Sequence, residues 1–462
     1  MSQAYSYLQH IIIGVSAVHY YNAIRYATSE HSPVAQNALI DALHARQIAI
    51  QDLIALIQER RVDNRHTETQ ADQDALLATV LFFVNFTLID SGKDGWKDHL
   101  TVAGRLLSIH GLATMPFSLP QQHEQQLLLN TLSPSTSDLA SLLVPTMPQK
   151  PFEVASEPLT ACDYVTSDTV AYFIWNSALQ SLVSSSPSLL PSFHTLGYAA
   201  QPLKWDVSKV MRILSRTEAN SYHSCPAFLM GIVLRVAWIT QYLKTGNNIP
   251  PTTARMDAYL QLLKEAESFD IQAWAAGVST HMFGILGAVN EHELRSRYHI
   301  AATYRAAVCL YILLVAPGLP AEIRRRIRLG LEDPASFPSL PTTEDLAATI
   351  FQQLSFIPKT SPLFKYTLWP VFLTGVDAVT DTHRLWVVER MSAMRDLCPW
   401  GFLTSAMETL AEIWKLRDSA IRGEKKDETG SPNEVAEADE LDDDGSDWLA
   451  RLRGLKIDCL IV

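Results

Sequence analysis

Cysteine is scarce and scattered. The chain has five, Cys162, Cys225, Cys309, Cys398 and Cys459, and no CxxC pair among them. A structural zinc site and a thioredoxin-type redox site both need closely spaced cysteines, so neither is read here. An odd number of widely spaced thiols suits a reducing intracellular compartment. The start, MSQAYSYLQHIIIGV, lacks positive charge ahead of its apolar run, so a secretory leader is not expected. The apolar stretches, such as Ala306–Pro317, read as too short for the roughly 20 residues that cross a bilayer. Excess positive charge is also absent, since 37 Lys and Arg stand against 49 Asp and Glu. Between Glu424 and Asp447 there are eleven acidic and two basic residues, which leaves the rest of the chain close to neutral. Such a body offers no broad electrostatic footprint for nucleic acid. No GxSxG elbow, HExxH helix or GxGxxG turn occurs, so no specific enzyme is suggested and the protein is read as a non-enzyme. A small-molecule enzyme on a helical fold is the alternative from another class. It would need convergent polar groups in a pocket.

Hydrophobic residues, by contrast, make up 47% of the chain, enough for a large core. Their spacing is mostly helical. From Asn37 to Arg60, Leu39, Leu43, Ile50, Leu53, Ile54 and Ile57 mark one face of an amphipathic helix. Asp72–Ile89 is apolar around more of its circumference and predicts a central helix. It ends in the glycine and aspartate turn of Asp90–Gly95, and Trp96–Ile109 begins a further helix. Residues 132–162 hold five prolines and read as a long surface loop. Thr166–Val183, Val207–Arg216, Cys225–Lys244, Thr252–Ser268, a short piece near Ile271–Ala275, His299–Val315, Pro320–Gly330 and Glu344–Ser355 follow as helices. From Leu368 to Asp418, three apolar helical stretches are joined by breaks at Thr380–Thr382 and Cys398–Gly401. Their tryptophans, Trp369, Trp386, Trp400 and Trp414, are read as core, because rings of that size are spent on burial. The fold class is therefore all-α, a single large array of packed helices over residues 1–422. Residues 423–447 form an acidic disordered segment, and residues 448–462 are expected to dock on the body.

Four features are weighed as sites. GKDG at 92–95 faintly suggests a phosphate loop. Thr87 stands where the first glycine of that motif belongs, and Asp94 where its hydroxyl belongs, so a plain interhelix turn is favoured. His292, between Glu291 and Glu293, and His299 lie two turns apart and could ligate a metal, but read as surface and cap residues. Arg324, Arg325, Arg326 and Arg328 form the dense basic run. They are read as the outer face of an amphipathic helix, with nuclear import or phosphate contact as the functional alternative. The tail around Asp442, Asp443, Asp444, Trp448 and Leu449 fits a solubilising linker, or an acidic–hydrophobic activation segment that meets a partner.

Several blocks, in this order, resemble the fungal-specific transcription factor domain. They are ALIDALHARQIAIQDLIALI (38–57), ALLATVLFFVNFTLIDSGKDGWKDHLTVAGRLL (75–107), YRAAVCLYILL (304–314), LWPVFLTGVDAV (368–379), IWKLRD (413–418) and DWLARLRGLKIDCLIV (447–462). The resemblance implies a regulator of fungal transcription, acting in the nucleus on a metabolic or biosynthetic gene cluster. Its partners would be other transcription proteins and a second copy, with no membrane. Family members usually carry six cysteines holding two zinc ions ahead of this region, and that module reads DNA. This chain begins directly in the helical part and has no such cysteines. Zinc is thus expected only in an upstream segment, and no cofactor is assigned to this chain. DNA is expected to be reached only indirectly or through such a segment. A partner-dependent coregulator without direct DNA binding is the companion reading.

Overall fold

The computed structural model describes residues 4–27, 32–62, 69–93, 95–109, 161–179, 211, 214–215, 218, 224–245, 252–277, 291–333 and 341–427. The described residues form helices without a strand. They are α1 (Ser6–Ala27), α2 (Pro33–Val62), α3 (Gln70–Asp90), α4 (Trp96–Ile109), α5 (Ala161–Leu179), α6 (Ala227–Thr245), α7 (Thr252–Glu267), α8 (Glu291–Val315), α9 (Leu319–Arg328), α10 (Thr343–Ser355), a 3-10 turn (Phe364–Thr367), α11 (Leu368–Asp377), α12 (Asp381–Leu397) and α13 (Gly401–Asp427). A short helix over 271–277 lies between α7 and α8. Of the expected helix over 207–216 only residues 211, 214 and 215 are described, and they are helical, while most of the loop over 132–162 falls outside the described residues, although Ala161 and Cys162 already belong to α5.

Local chemistry sets several helix starts. Thr69 accepts from the backbone N–H of Asp72 at 3.2 Å, while Asp72 accepts from that of Thr69 at 2.9 Å, a reciprocal cap for α3. Thr342 and Asp345 repeat this at α10, at 3.1 and 3.2 Å. Thr380 caps α12 by accepting from His383 N–H at 3.3 Å. α8 begins at Glu291 rather than His299. Its polar first turns escape a search for apolar spacing, but Glu291 and Arg295 pair across one turn at 3.1 Å.

Two large core clusters result, and a small third one of Ile271, Ala301 and Ala302 lies between the short helix and α8. The larger one surrounds α8, whose residues from Ala306 to Leu314 are all buried, and draws on α3 to α7 and α9 to α13. An evenly apolar helix has no solvent face to offer, so it becomes the centre. By length and hydropathy, Ala71–Asp90 and Leu294–Val315 would suffice to cross a bilayer, longer apolar helices than apolar runs alone had suggested. They are 72% and 78% buried within the protein, which makes them core helices.

The smaller cluster lies among α1, α2 and α3. Here the packing divides the apolar face read from the sequence of α2, since Ile50 and Leu53 pack against the cluster while Leu43, Ile54 and Ile57 do not. The buried face of α2 is a stripe of alanines, Ala35, Ala38, Ala42, Ala45 and Ala49. Gly14 of α1 lies against it, where a Cβ would come within 3.3 Å of the Ala42 carbonyl oxygen. Two helices that approach this closely have room only for small side chains between them. Leu43, Ile54 and Ile57 consequently point outward, while Leu39, Ile50 and Leu53 are half-buried.

Trp400 packs against both clusters and joins them. Beside it, Gly401 opens α13 directly on the end of α3, and a Cβ there would lie 1.9 Å from the Asp90 carbonyl oxygen. The Ser405 hydroxyl donates to the Ser91 carbonyl at 2.6 Å, and Lys93 pairs with Glu408 at 2.7 Å. These contacts fix the first three helices against the last two.

Candidate functional site

The basic run lies on α9, with Pro320 in its first turn. Ile323 faces the core, while Arg324, Arg325 and Arg328 are exposed. Arg326 behaves differently. It is half-buried and pairs with Asp257 of α7 at 2.5 Å and with Glu322 at 2.7 Å. Arg325 holds the same Glu322 by two bonds of 2.7 Å. Hydrogen bonds from Arg325 and Arg326 keep that carboxylate ionised down to about 2. One of the four arginines thus anchors α9, and three remain on the surface. Leu329 and Leu331 follow them, both exposed. The face can therefore offer cationic and apolar contacts together.

The turn after α3 serves structure. Gly92 and Gly95 have φ of 70° and 73°, and the N–H groups of Ser91 and Gly92 both donate to the Thr87 carbonyl. Lys93 is engaged by Glu408. Amides and ammonium that a phosphate would require are already occupied. On α8, His299 donates to Gln353 at 2.8 Å and stacks on Phe356, their rings 4.5 Å apart. Among the described residues, no three His, Cys, Asp or Glu side chains converge on a common point.

A half-buried polar group that sequence reasoning missed lies between the start of α6 and Trp274, which packs on the small third cluster. Glu218 accepts from the Ala227 N–H at 2.7 Å and from the Trp274 indole at 3.0 Å. Burial pushes its carboxyl up to about 7, against the pull of these two donors. Burial and the nearby Glu218 also raise the Cys225 thiol well above its ordinary value. Tyr304 lies beside Cys225 and donates to the Tyr366 carbonyl at 2.8 Å. Glu218 and Trp274 stand 56 positions apart, so no local pattern announces the pair. Its donors and acceptor satisfy one another, as buried polar groups must. We assign it to positioning the start of α6.

Arg390 of α12 is a half-buried charged group. Its guanidinium lies over the Phe364 ring, 4.4 Å from the centroid, and over Trp386 at 5.5 Å. It donates to the Leu354 carbonyl at 3.1 Å, and burial lowers its pKa to about 10. It ties α12 to the end of α10.

The tail residues Asp442, Asp443, Asp444, Trp448 and Leu449 lie outside the described residues. Of the segment expected to be disordered, residues 423–427 belong to α13, which runs to Asp427.

Comparison with known proteins adds what the geometry cannot. The model of the fungal specific transcription factor domain matches residues 1–454. The chain belongs to that family. It is also similar to the acriflavine sensitivity control protein acr-2 of Neurospora crassa, with 28% identity over 465 residues and 99% of this chain covered. The chain spans about 61% of that relative's length. No solved structure matches it.

The family's zinc cluster does not fit the described cysteines. Cys225 and Cys309 are buried on different elements, and Cys398 follows α12. Burial pushes the Cys309 thiol up to about 12 and that of Cys398 up to about 11. Zinc takes thiolates that stand close together, so no zinc is assigned to them.

Proposed function

We propose that this chain is the regulatory body of a fungal transcriptional regulator that works in the nucleus on a metabolic or biosynthetic gene cluster. The membership of nearly the whole chain in the family carries this reading. The similar Neurospora protein, named for control of acriflavine sensitivity, agrees with a regulator of the response to a toxic compound. In this reading the helical body is a scaffold, and contact with other transcription proteins falls to two surfaces. One is the exposed face of α9, where Arg324, Arg325 and Arg328 adjoin Leu329 and Leu331. The other is the acidic–hydrophobic sequence around Asp442–Asp444, Trp448 and Leu449. The small-molecule enzyme is not favoured, because among the described residues no three His, Cys, Asp or Glu side chains converge, and Glu218 and Arg390 are engaged at helix ends.

The test is a reporter assay. The chain is fused to a foreign DNA-binding module, whole or cut after Asp427, and compared with a third fusion carrying Arg324→Ala, Arg325→Ala and Arg328→Ala. The whole fusion should change reporter output, and the cut or the α9 substitutions should reduce the change several-fold. Output equal to that of the bare module in all three would sink the proposal.

A further inference from the structure

We propose that the segment joining α10 to α11 is a docking surface for the chain's own acidic segment, with Lys359, Lys365 and Arg390 receiving the carboxylates between Glu434 and Asp447.

The observation is a set of cations gathered on one segment without an acid among them. Residues 356–366, FIPKTSPLFKY, hold two lysines and no aspartate or glutamate. Their backbone is a run of tight turns. The N–H groups of Ile357, Ser361 and Phe364 donate to the carbonyls three residues earlier, at 3.1, 2.9 and 3.0 Å. Lys359 and Lys365 are exposed, as are Pro358, Thr360 and Pro362. Neither lysine forms an ion pair among the described residues. Arg390 of α12 lies beneath them. It donates to the Leu354 carbonyl before the segment and covers the Phe364 ring near its end. Its Nε and Nη2 are enclosed and have no hydrogen-bond partner among the described residues. Burial holds its pKa down, and no carboxylate pulls it back up. The carbonyl end of α10 offsets part of this charge. Glu389, next along α12, is exposed and about 100° further round the helix. The lysine charges are left without a partner.

Two arguments select the occupant. The first is charge. On α9, the other cationic surface, Arg325 and Arg326 already hold Glu322, and Arg326 also holds Asp257. The loop lysines have no such acids. Glu428–Leu449 carries nine acidic residues and no basic one, and it ends on Trp448 and Leu449. Phe356, 53% exposed and stacked on His299 by one face, offers those two an apolar contact beside the lysines. The second argument is reach. α13 runs antiparallel to α12, since Arg384 bonds Asp418 and Ser392 bonds Met407. The end of α13 at Asp427 therefore lies about 20 Å from the level of Arg390 along the helix axes. The 17 residues from Glu428 to Asp444 span up to about 55 Å when extended. Exposed ion pairs are individually weak. A tether of this length holds the acids at a local concentration in the millimolar range, so a weak intrinsic affinity suffices. The acidic segment is one of the two contact surfaces of the proposed function. Its place on the body does not depend on transcription, so the reporter assay and the docking can fail independently.

Zero-length cross-linking of the full chain at low micromolar concentration is the experiment. A carbodiimide joins a lysine amine to a carboxylate that touches it. Mass spectrometry of the monomer band should find Lys359 and Lys365 joined to acids between Glu434 and Asp447, with several-fold fewer links in about 0.5 M salt. A second arm reads the segment without those lysines. A protease that cuts after glutamate should open Glu434–Glu440 about fivefold faster in Lys359→Glu with Lys365→Glu than in the parent. The melting temperature should match the parent, because both lysines are exposed. Arg324→Ala with Arg325→Ala and Arg328→Ala should leave the cutting rate where it was. Tail acids that link to neither loop lysine overturn the proposal, and so do links that appear only between two chains. Equal cutting of the parent and the loop variant also overturns it. Faster cutting in the α9 variant alone would move the docking surface to α9.

Discussion

The two ends of the described chain solve helix packing in opposite ways. At the start, α1 and α2 meet through Gly14 and a row of alanines, with Ile40, Leu43, Ile54 and Ile57 of α2 left outside and Ile50, Leu53 and Leu56 half-buried at the edge of the cluster. At the end, α11, α12 and α13 meet through bulk. Residues 368–376 are all buried, and Trp369 lies among Tyr304 and Tyr311, with ring centroids 6.2 and 5.8 Å away. Even there one glycine is required. Gly375 lets α13 close in, since a Cβ would come within 2.7 Å of Leu410, and its carbonyl accepts from the Trp414 indole at 2.7 Å. Arg384 then seals the pair by two bonds to Asp418, at 2.8 and 2.7 Å. Close approach by small residues frees large ones for another surface. Packing by large residues consumes them.

The largest effect should therefore come from the aromatic end. Trp369→Ala should cost about 3–5 kcal/mol in denaturant unfolding, because it removes a buried double ring from a core that cannot collapse to fill the space. A loss below about 1 kcal/mol would mean that the ring is not the packing centre of that end.

The next effect separates the clusters by pH. His99 follows the N-terminal bundle and stacks on Phe83, ring centroids 5.1 Å apart, and burial with Arg46 nearby lowers its pKa to about 4. An unfolded histidine near 6.5 takes its proton first. Stability held above about 6.5 should therefore fall as pH drops toward 4, by up to about 3 kcal/mol. Glu218, half-buried between the start of α6 and Trp274, runs the other way. Its folded pKa of about 7 lies above the ordinary 4.5, so the fold holds the proton longer than the unfolded chain. Its contribution should fall as pH rises from about 4.5 to 7, by a similar amount. In pH-dependent unfolding, His99→Asn should flatten the first slope and Glu218→Gln the second. A slope unchanged by its own substitution would refute that assignment.

How much of this the sequence displays depends on which rule governs each element. The aromatic end was legible. The breaks expected at Thr380–Thr382 and Cys398–Gly401 fall at the observed helix boundaries to within a residue or two, because caps and glycine act locally. Trp369 is buried as read, and its three companions are half-buried against the core. The all-α class was legible for the same reason. The apolar face of α2 was also visible, but its direction was not. Periodicity shows that a face exists, while Gly14, 28 positions before Ala42, decides which face turns inward. The Glu218–Trp274 contact and the role of Arg326 as anchor were out of reach, since each depends on partners from distant elements.

The smallest effects give the sharpest test of the comparison, because the two packing rules rank them in opposite order. Ala42→Leu looks conservative in sequence and would strengthen the apolar pattern of α2. Ala42 is fully buried opposite Gly14, so the added carbons have no space, and the variant should lose about 1–3 kcal/mol. Ile54→Gln removes a large apolar residue from the face that periodicity would turn inward. With Ile54 outside, that change should stay within about 0.5 kcal/mol when unfolding is measured on dilute protein. Were Ile54→Gln the costlier change, α2 would be rotated about its axis, with Ile54 turned into the bundle and Ala42 turned out of it.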